Sequence, residues 1–247
     1  MSNGKLYGVG VGPGAPDLMT LRSVQVLNSV DVIAAPLGNK FTKSVAWGIA
    51  EPNIEENPDQ EQLFLSFPMT KNPKILKPAW EIALNEIGER LTAGKSVAFI
   101  AQGDPLFFST FTYMMDEIAV RLPEVEIEVL PAVSSFTAVP SAIKATIADG
   151  QERVAIVPAS YGLETLPEIF RLFDTTLLMK VGSIMPELVE ILEKENLLDK
   201  AVYISKATME DETIIFDLKS IKNDKCDYFS MVMVKKSERS GVLAGNS

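Results

Sequence analysis

Tyr7-Gly-Val-Gly-Val-Gly-Pro-Gly-Ala-Pro-Asp-Leu-Met-Thr20 joins a strand candidate to a helix candidate. Residues 6–11 are an apolar run that predicts a buried strand, and the glycines at its end allow backbone or a ligand to approach closely. Asp17 is expected to be the N-cap of the following helix. The apolar face of that helix is predicted to carry Leu18, Leu21, Val24 and Leu27. This strand–turn–helix unit predicts an α/β fold.

The segment Gly10-Val-Gly-Pro-Gly-Ala15 has the spacing of a dinucleotide-binding fingerprint, but its chemistry fits poorly. That fingerprint holds a pyrophosphate on backbone N–H groups at a helix N-terminus, and Pro13 and Pro16 remove two such donors. The acid expected about 20 residues later should end a strand, whereas Asp31 precedes the apolar residues 32–35. A nicotinamide-dependent oxidoreductase is therefore weakly supported. This stretch alone supports a tight turn without a ligand as well as it supports a binding loop.

The composition is that of an ordinary folded protein. The chain has 247 residues, of which 47% are hydrophobic and 23% charged, enough for one large domain or two small ones. No apolar run approaches the roughly 18 residues of a membrane span, and Met1-Ser-Asn-Gly-Lys5 does not resemble a signal peptide. Cys226, the single cysteine, excludes an intrachain disulfide and suits a reducing compartment. We therefore expect a cytoplasmic protein that does not associate with membranes.

The absence of histidine restricts the chemistry most strongly. It removes the commonest metal ligand, so with a single cysteine we expect no metal site. A Ser-His-Asp or Cys-His triad is excluded. The net charge of −10 argues against RNA or DNA as partners, because nucleic acids require basic surfaces. Catalysis would have to use a cofactor, carboxylates, hydroxyls, lysines or backbone groups.

Two further strand candidates end in polar turns. Residues 96–101 are a continuous apolar run, typical of a central parallel strand, and stop at Gln102-Gly-Asp-Pro105. Residues 125–130 lead into Pro131-Ala-Val-Ser-Ser-Phe136, whose serines can cap a helix that ends at Ala145. Open α/β sheets bind ligands at the carboxyl ends of their strands, so both turns are candidate ligand-binding loops.

The remaining pattern alternates strands and helices. Other strands are predicted at residues 31–35, closed by Pro36, and at 63–67, 153–157, 175–181, 201–205, 213–216 and 228–234. Other helices are predicted at residues 42–50, 78–93, 106–122, 163–172 and 184–194. The helix at 78–93 is predicted to carry Ile82, Ile87 and Leu91 on one face, and the helix at 106–122 has an apolar stripe that includes Phe107 and Phe108. The prediction is an α/β protein with two domains in series, residues 1–130 and 131–247, and a ligand cleft between them.

Several of these segments resemble the tetrapyrrole methylases, which transfer a methyl group from S-adenosylmethionine. The stretch from Gly10 to Leu21 is similar to the family's first motif and Gly103-Asp-Pro105 to its second. Residues 131–135 resemble its Pro-Gly-Val-Ser-Ser turn, with Ala132 in place of the usual glycine. Residues 175–182 and 204–209 resemble two C-terminal segments that face the cofactor. Together these segments cover almost the whole chain.

Within this family the chain is most similar to the C-20 methyltransferases that act on precorrin-2 or cobalt-factor II in cobalamin biosynthesis. Phe67-Pro-Met-Thr70 followed by a basic patch is similar to that subgroup, whereas Gln102 replaces its usual Glu. The resemblance implies a homodimer that binds S-adenosylmethionine in the cleft and releases S-adenosylhomocysteine. The cofactor contacts that it implies are Pro13, Gln102, Gly103, Asp104, Phe107, Ser134, Ser135, Met179, Ala207 and Thr208.

The roles of the charged residues are less determined. Asp104 is the candidate catalytic residue, either as the base that accepts a proton after methyl transfer or as an organiser of its loop. A tetrapyrrole substrate carries many carboxylates, which conflicts with the net charge of −10 unless local basic residues meet them. The candidate substrate-binding residues are Lys40, Lys43, Lys71, Lys74 and Lys77. Another tetrapyrrole or diphthine methylase, a nicotinamide-dependent oxidoreductase and a non-catalytic binding protein remain as alternatives.

Overall fold

The computed structural model of the chain describes residues 4–38, 43–70 and 72–237. Lys40 and Lys71, two of the predicted substrate-binding residues, lie outside the described residues. The chain divides between Ser135 and Phe136 into two compact units, an N-terminal and a C-terminal unit, and each contains a five-stranded sheet flanked by helices. The predicted α/β class is therefore confirmed. The domain boundary predicted after residue 130 stays a prediction, because compactness does not test independent folding.

The N-terminal unit is built on a fully parallel sheet. Its strands are β1 (Lys5–Gly10), β2 (Val32–Leu37), β3 (Glu61–Ser66), β4 (Val97–Ala101) and β5 (Glu126–Leu130), in the order β3-β2-β4-β1-β5. All four pairings are parallel, so the five strands end at one edge, the carboxyl edge of the N-terminal sheet. β4 is buried along its whole length, as its apolar run predicts.

Helices cover both faces of this sheet. They are α1 (Leu21–Leu27), α2 (Val45–Ala50), α3 (Pro73–Thr92) and α4 (Thr110–Arg121). Side chains alternate across β4: Phe99 packs with residues of α3 and α4, while Ile100 packs with residues of α1 and α2. The sheet thus lies between two hydrophobic layers, and its loops are left to carry the polar chemistry.

The predicted N-cap of α1 is wrong. Asp17 lies in a short 3₁₀ turn (Pro16–Leu18), and α1 is capped by Thr20, whose Oγ1 accepts a hydrogen bond from the Ser23 N–H at 3.1 Å. Because the helix begins later than predicted, its buried face shifts as well. Leu21 is 82% exposed, whereas Val26 and Leu27 are buried.

Two prolines lie inside elements, at positions where the sequence predicts element boundaries. β2 continues through Pro36 to Leu37. The strand tolerates this proline because only the odd-numbered residues of β2 form backbone hydrogen bonds with β3, and because the pairing of β2 with β4 stops at Ala34. The missing N–H of Pro36 therefore faces a side on which none of the described strands pairs with β2 at that point. α3 begins at Pro73, with Pro78 inside it. Its predicted face is wrong at Ile82, which is 62% exposed.

Left-handed residues set two helix boundaries that the sequence did not indicate. The helix predicted over residues 106–122 begins only at Thr110, and Phe107 and Phe108 precede it. Phe108 has φ of 51°, which is incompatible with a right-handed helix. Lys144 has φ of 54°, and α5 (Ser135–Ala142) ends before it rather than at Ala145.

The C-terminal unit contains a mixed sheet. Its strands are β6 (Val154–Pro158), β7 (Thr175–Met179), β8 (Ala201–Ser205), β9 (Thr213–Ile215) and β10 (Ser230–Lys235), in the order β6-β7-β10-β8-β9. β10 is antiparallel to both neighbours, so β6, β7 and β8 point in the same direction and end at one edge. The helices α6 (Leu166–Leu172) and α7 (Met185–Lys194) contribute to its core. Across the described residues, no helix has both the length and the apolar character to span a membrane.

Candidate functional site

Three of the predicted motifs lie together at the carboxyl edge of the N-terminal sheet. They follow β1, β4 and β5, which are neighbours in the sheet order. We call residues 11–16 the first loop, residues 102–106 the second loop and residues 131–134 the third loop. Ligands of open α/β sheets bind at this edge, so the arrangement supports the prediction that these loops form a binding site.

Backbone hydrogen bonds join the first loop to the second. The Val11 N–H donates to the Ala101 carbonyl at 3.0 Å, and the Gly103 N–H donates to the Gly12 carbonyl at 2.7 Å. Gly12 has φ of 83° and Gly103 has φ of 71°, a region in which a side chain would be strained. The two glycines therefore allow these loops to pair beyond the ends of their strands.

Gly10 lies where the three loops are closest. A Cβ at this position would lie 2.5 Å from the Ala132 Cβ and 2.8 Å from the Gly103 carbonyl oxygen. Gly103 is different, because a Cβ there would meet no atom within 4 Å. The loops are thus tightly packed at Gly10 and leave open space beside Gly103.

Asp104 ties the second loop to the third. Its Oδ1 accepts a hydrogen bond from the Leu106 N–H at 2.9 Å, and its Oδ2 accepts one from the Ala132 N–H at 3.0 Å. Both carboxylate oxygens are therefore engaged by backbone donors. Of the two roles left open by the sequence, this geometry favours the loop organiser.

Two further side chains, which the sequence did not indicate, hold the end of β1 and the first loop. The Ser23 hydroxyl, which is fully buried, donates to the Gly10 carbonyl at 3.1 Å. The Asn53 amide donates to the Pro16 carbonyl at 2.9 Å. Ser23 could have been noticed as a serine among the apolar residues of α1. Asn53 gave no such signal, because it lies in a 3₁₀ turn (Glu51–Asn53) that is distant from Pro16 in sequence.

The first loop is poorly suited to a nucleotide pyrophosphate. α1 begins only at Leu21, so its N-terminus does not follow the glycines directly. The Thr20 hydroxyl already accepts the Ser23 N–H, one of the donors that an anion would need. These contacts add to the two missing proline donors and argue against the nicotinamide interpretation.

The other predicted cofactor contacts of the N-terminal unit follow the same strands. Phe107 is half-buried just after the second loop, and its ring lies edge-on to that of Phe108 with centroids 4.7 Å apart. Ser134 is buried and Ser135 half-buried at the start of α5. Ser134 thus ends the third loop, and Ser135 begins α5.

In the C-terminal unit, Met179, Ala207 and Thr208 lie at the ends of β7 and β8, on the edge where β6 also ends. Three non-glycine residues in these connections are left-handed. They are Lys180 with φ of 59°, Lys206 with φ of 51° and Thr208 with φ of 71°. A β-branched residue rarely adopts this conformation, and such strain is concentrated at functional sites. The Thr208 N–H donates to the Glu212 carboxylate at 2.7 Å.

The described lysines among the predicted substrate contacts are exposed. Lys43 lies in the connection after β2, and Lys74 and Lys77 lie in the first half of α3, after β3. These connections leave the same carboxyl edge as the three loops. No carboxylate among the described residues lies within salt-bridge distance of these three lysines.

Within the described part of the chain, the acidic side chains are dispersed, the single thiol is half-buried and Lys206 is paired. Within residues 4–38, 43–70 and 72–237, no group of three or more Cys, Asp and Glu side chains could hold a metal ion. Burial raises the pKa of the Cys226 thiol, which keeps it protonated and weakly nucleophilic at neutral pH. The Asp211 carboxylate raises the pKa of Lys206, so this lysine stays charged and paired.

Comparison with known proteins finds relatives along nearly the full chain. A cobalt-precorrin-2 C(20)-methyltransferase of Salmonella typhimurium is 31% identical over 235 residues, which are 95% of this chain and 97% of that protein. A protein of Methanocaldococcus jannaschii, named as a probable enzyme of the same kind, is 34% identical over 237 residues, with the same coverage of both chains. A precorrin-2 C(20)-methyltransferase of Sinorhizobium sp is 29% identical over 244 residues, 94% of this chain and 95% of that one.

Solved structures share the fold. A cobalt precorrin-4 methyltransferase has a TM-score of 0.72 at 21% identity, covering 94% of both chains. The uroporphyrin-III C-methyl transferase of Thermus thermophilus, complexed with S-adenosylhomocysteine, has a TM-score of 0.66 at 17% identity, covering 94% of this chain and 92% of that one. The model of the tetrapyrrole (corrin/porphyrin) methylases matches residues 5–221, and the chain belongs to that family.

Proposed function

We propose that the protein is an S-adenosylmethionine-dependent methyltransferase that methylates carbon 20 of precorrin-2 or cobalt-factor II in cobalamin biosynthesis. The observation that carries this proposal is the identity of 31% and 34% to relatives named for C(20) methylation, over 95% of this chain. A different tetrapyrrole or diphthine methylase would share the loops, but those relatives' names favour the C-20 reaction.

The three loops fit a methyl donor bound at the carboxyl edge. The space beside Gly103 is open, and the loops around it are fixed by hydrogen bonds from Gly103, Ser23 and Asn53. Because these loops are already ordered, binding of the ligand does not carry the entropic cost of ordering them. The individual contacts to Pro13 and to the other cofactor residues stay proposals, including Met179, Ala207 and Thr208 of the C-terminal unit.

The proposed chemistry requires alignment rather than a strong base. S-adenosylmethionine supplies an activated methyl group, which forms a bond to carbon 20 as its bond to sulfur breaks, leaving S-adenosylhomocysteine. The loops of the chain hold the two reactants in register. Such proximity and orientation can lower the activation free energy by about 7–11 kcal/mol. Asp104 holds the second and third loops together. A proton leaves carbon 20 afterwards and can pass to water.

The exposed lysines are proposed to meet the carboxylates of the tetrapyrrole. Lys43, Lys74 and Lys77 lie on connections at the same edge as the loops, and no described carboxylate pairs with them. They therefore offer a local positive surface in a chain whose net charge is −10. Charge of this kind raises the rate at which an anionic substrate is captured.

Separate incubations with precorrin-2 and cobalt-factor II, each with S-adenosylmethionine, test the proposed function. We expect mass spectrometry to show the gain of one methyl group on at least one substrate, and NMR to locate it at carbon 20. Reactions without the methyl donor are the control. Methylation at another carbon, or of neither substrate, would refute the C-20 assignment.

The resemblance also leads us to propose a cytoplasmic homodimer. Analytical ultracentrifugation at several protein concentrations tests the assembly, and fractionation of cells tests the location. A monomer at all concentrations would contradict the first proposal, and recovery outside the cytoplasm would contradict the second.

A further inference from the structure

Exposed apolar side chains of the N-terminal unit are concentrated at the carboxyl edge of its sheet. Exposed hydrophobic residues are common singly, so their grouping is the informative feature. Among the described residues of this unit, most of the large exposed ones lie in the connections that leave this edge or in the first turns of the helices that follow, including Met69, Ile75, Leu106, Phe108 and Tyr113. The edge that carries the proposed cofactor loops therefore also presents an apolar surface.

Four of these residues lie shortly after β3 or β4, and we call them the apolar edge surface: Met69, Ile75, Leu106 and Phe108. Each of the four is more than half exposed. β2 alone separates β3 from β4 in the sheet order, so these two strands end about 10 Å apart. The cofactor loops follow β4, β1 and β5. The segment after β4 therefore borders both the proposed cofactor site and the apolar edge surface, as a site for the methyl acceptor requires.

Phe67 holds the segment that carries Met69. Its buried ring lies edge-on to Trp80 of α3, with centroids 4.9 Å apart, and to Phe99 of β4, with centroids 5.9 Å apart. The Phe67 N–H donates to the Leu37 carbonyl at 2.8 Å. The start of this segment is thus packed against β4 and bonded to the end of β2, while Met69, two residues later, is 73% exposed.

The other side of the apolar edge surface is held by the second loop. The Gln102 amide Nε2 donates to the Pro13 carbonyl at 3.2 Å, which ties this loop to the first. The Leu106 N–H donates to Asp104 Oδ1 at 2.9 Å. These bonds hold the backbone of the loop, while the Leu106 and Phe108 side chains stay exposed. The surface is therefore ordered on both sides, which lowers the cost of binding a ligand there.

Lysines lie beside this surface. Lys43 is on the connection after β2, the strand between β3 and β4, and Lys74 and Lys77 follow Met69 in the first half of α3. Exposed apolar side chains with lysines nearby suit a ligand that has apolar faces and carboxylates around its rim. The tetrapyrrole of the proposed function has this chemistry.

We propose that the apolar edge surface binds the face of the tetrapyrrole macrocycle, with Met69 and Leu106 as substrate-contact residues on its two sides. This inference rests on the proposed function and adds to it the residues that contact the ring system rather than its carboxylates. Burial of apolar surface is not a charge interaction, so salt does not screen it. The contributions of Met69 and Leu106 are therefore nearly independent of ionic strength, in contrast to those of the lysines.

Equilibrium titration with precorrin-2 and with cobalt-factor II tests this inference, on protein saturated with S-adenosylhomocysteine so that no methyl transfer occurs. Met69→Gln and Leu106→Gln replace an apolar side chain by a polar one of similar size. We expect each variant to bind the tetrapyrrole about tenfold more weakly, by the same factor at low and at high salt. Met69→Leu, which stays apolar, should bind like the unchanged protein. Val120→Gln is the matched control, because Val120 is 81% exposed but lies in the last turn of α4.

Thermal unfolding shows whether each variant is folded, and calorimetry with S-adenosylhomocysteine should give an unchanged affinity for Met69→Gln. Tetrapyrrole affinity that is unchanged in both glutamine variants would overturn the inference, and so would a loss that disappears at high salt. Sedimentation adds a further check, because a change of oligomeric state at unchanged tetrapyrrole affinity would assign the surface to a contact between copies of the chain. If the unchanged protein binds S-adenosylhomocysteine but neither tetrapyrrole, the proposed function itself fails. The two failures are therefore distinguishable.

Discussion

Asp104 uses both oxygens of its carboxylate to hold backbone N–H groups, one in its own loop and one at Ala132. We expect Asp104→Asn to weaken S-adenosylhomocysteine binding and to slow methyl transfer by similar factors, each roughly ten- to a hundredfold, because the amide loses one acceptor. Calorimetry and single-turnover kinetics measure the two effects.

The matched control is Asp116→Asn on the exposed side of α4, which should change neither quantity. If the rate fell sharply in Asp104→Asn while affinity held, Asp104 would be the base rather than the organiser.

The close approach at Gly10 predicts a rescue between two residues. Gly10→Ala would force its Cβ against the Ala132 Cβ and the Gly103 carbonyl, so we expect a loss of roughly 1–3 kcal/mol in the free energy of unfolding. Adding Ala132→Gly removes the first of these contacts and should restore part of that loss. Urea unfolding of the two single variants and the double variant measures the coupling.

Gly88→Ala provides the control for this substitution, because its nearest neighbour would lie at an ordinary 3.7 Å. We expect that variant to be unchanged or slightly more stable, since alanine favours a helix. Additive losses in the double variant would show that the two positions do not press on each other.

The sequence could indicate the residue types of the site but not their partners. Gly10, Gly12 and Asp104 stand out because turns at strand ends select such residues. The donors to Asp104 and Pro13 come from side-chain and backbone groups whose positions depend on the sheet order. Asn53 could not be predicted for the same reason, since it reaches Pro16 across 37 residues of chain.

At the level of elements, the connection after β8 combines backbone strain with a predicted cofactor contact. Thr208 and Lys144 are both left-handed, so replacing either by glycine should relieve strain and stabilise the protein by about 1 kcal/mol. Only Thr208→Gly should also weaken S-adenosylhomocysteine binding, because Lys144 follows α5 and is not a predicted contact. Thermal unfolding and calorimetry provide the two readings.

Unchanged affinity in Thr208→Gly would remove Thr208 from the cofactor site. Equal losses of affinity in both variants would show an indirect effect of loop flexibility.

Strands were predicted more accurately than helix starts. β8 has the predicted bounds because its apolar run is flanked by charged and polar residues. For the same reason, the observed bounds of β4 are close to those predicted for it. Helix starts depend on which of several polar residues becomes the cap. Thr20 rather than Asp17 is the N-cap of α1. Ser109 is the N-cap of α4, and it directly follows the left-handed residue Phe108. These choices are made by tertiary packing and could not be read from local preference.

For the whole molecule, the missing histidine predicts a simple response to pH. Among the described groups with shifted pKa values, the carboxylates shift down and the lysines shift up, away from neutrality. We therefore expect the single-turnover methyl-transfer rate, at saturating substrates, to be nearly flat from about pH 6 to 8. A single-turnover rate does not include product release. Titration of the tetrapyrrole alone is the control for ionisation of the substrate.

A sigmoidal limb near neutrality that persists after this correction would contradict an alignment mechanism. Its loss in Asp104→Asn would identify Asp104 as the base.

The surface charge leads to a prediction about substrate capture. Replacing Lys43, Lys74 or Lys77 by alanine should raise KM for the tetrapyrrole roughly two- to fivefold each, because each removes one exposed charge pair. The effect should shrink as salt is added, and affinity for S-adenosylhomocysteine should not change. Lys225→Ala, an exposed lysine of the C-terminal unit, is the matched control. If none of the three raises KM more than Lys225→Ala does, the substrate carboxylates bind elsewhere.

The position of β10 in the chain affects how the protein folds during its synthesis. β10 pairs with both β7 and β8, which are not neighbours of each other, so a nascent chain that stops before Ser230 has only a β6–β7 pair and a β8–β9 hairpin. The inner edges of both remain open until residues 230–235 are synthesised, whereas the N-terminal sheet is complete at Leu130. Open strand edges are templates for aggregation. We therefore expect the chain to be most prone to aggregation during the later half of its synthesis.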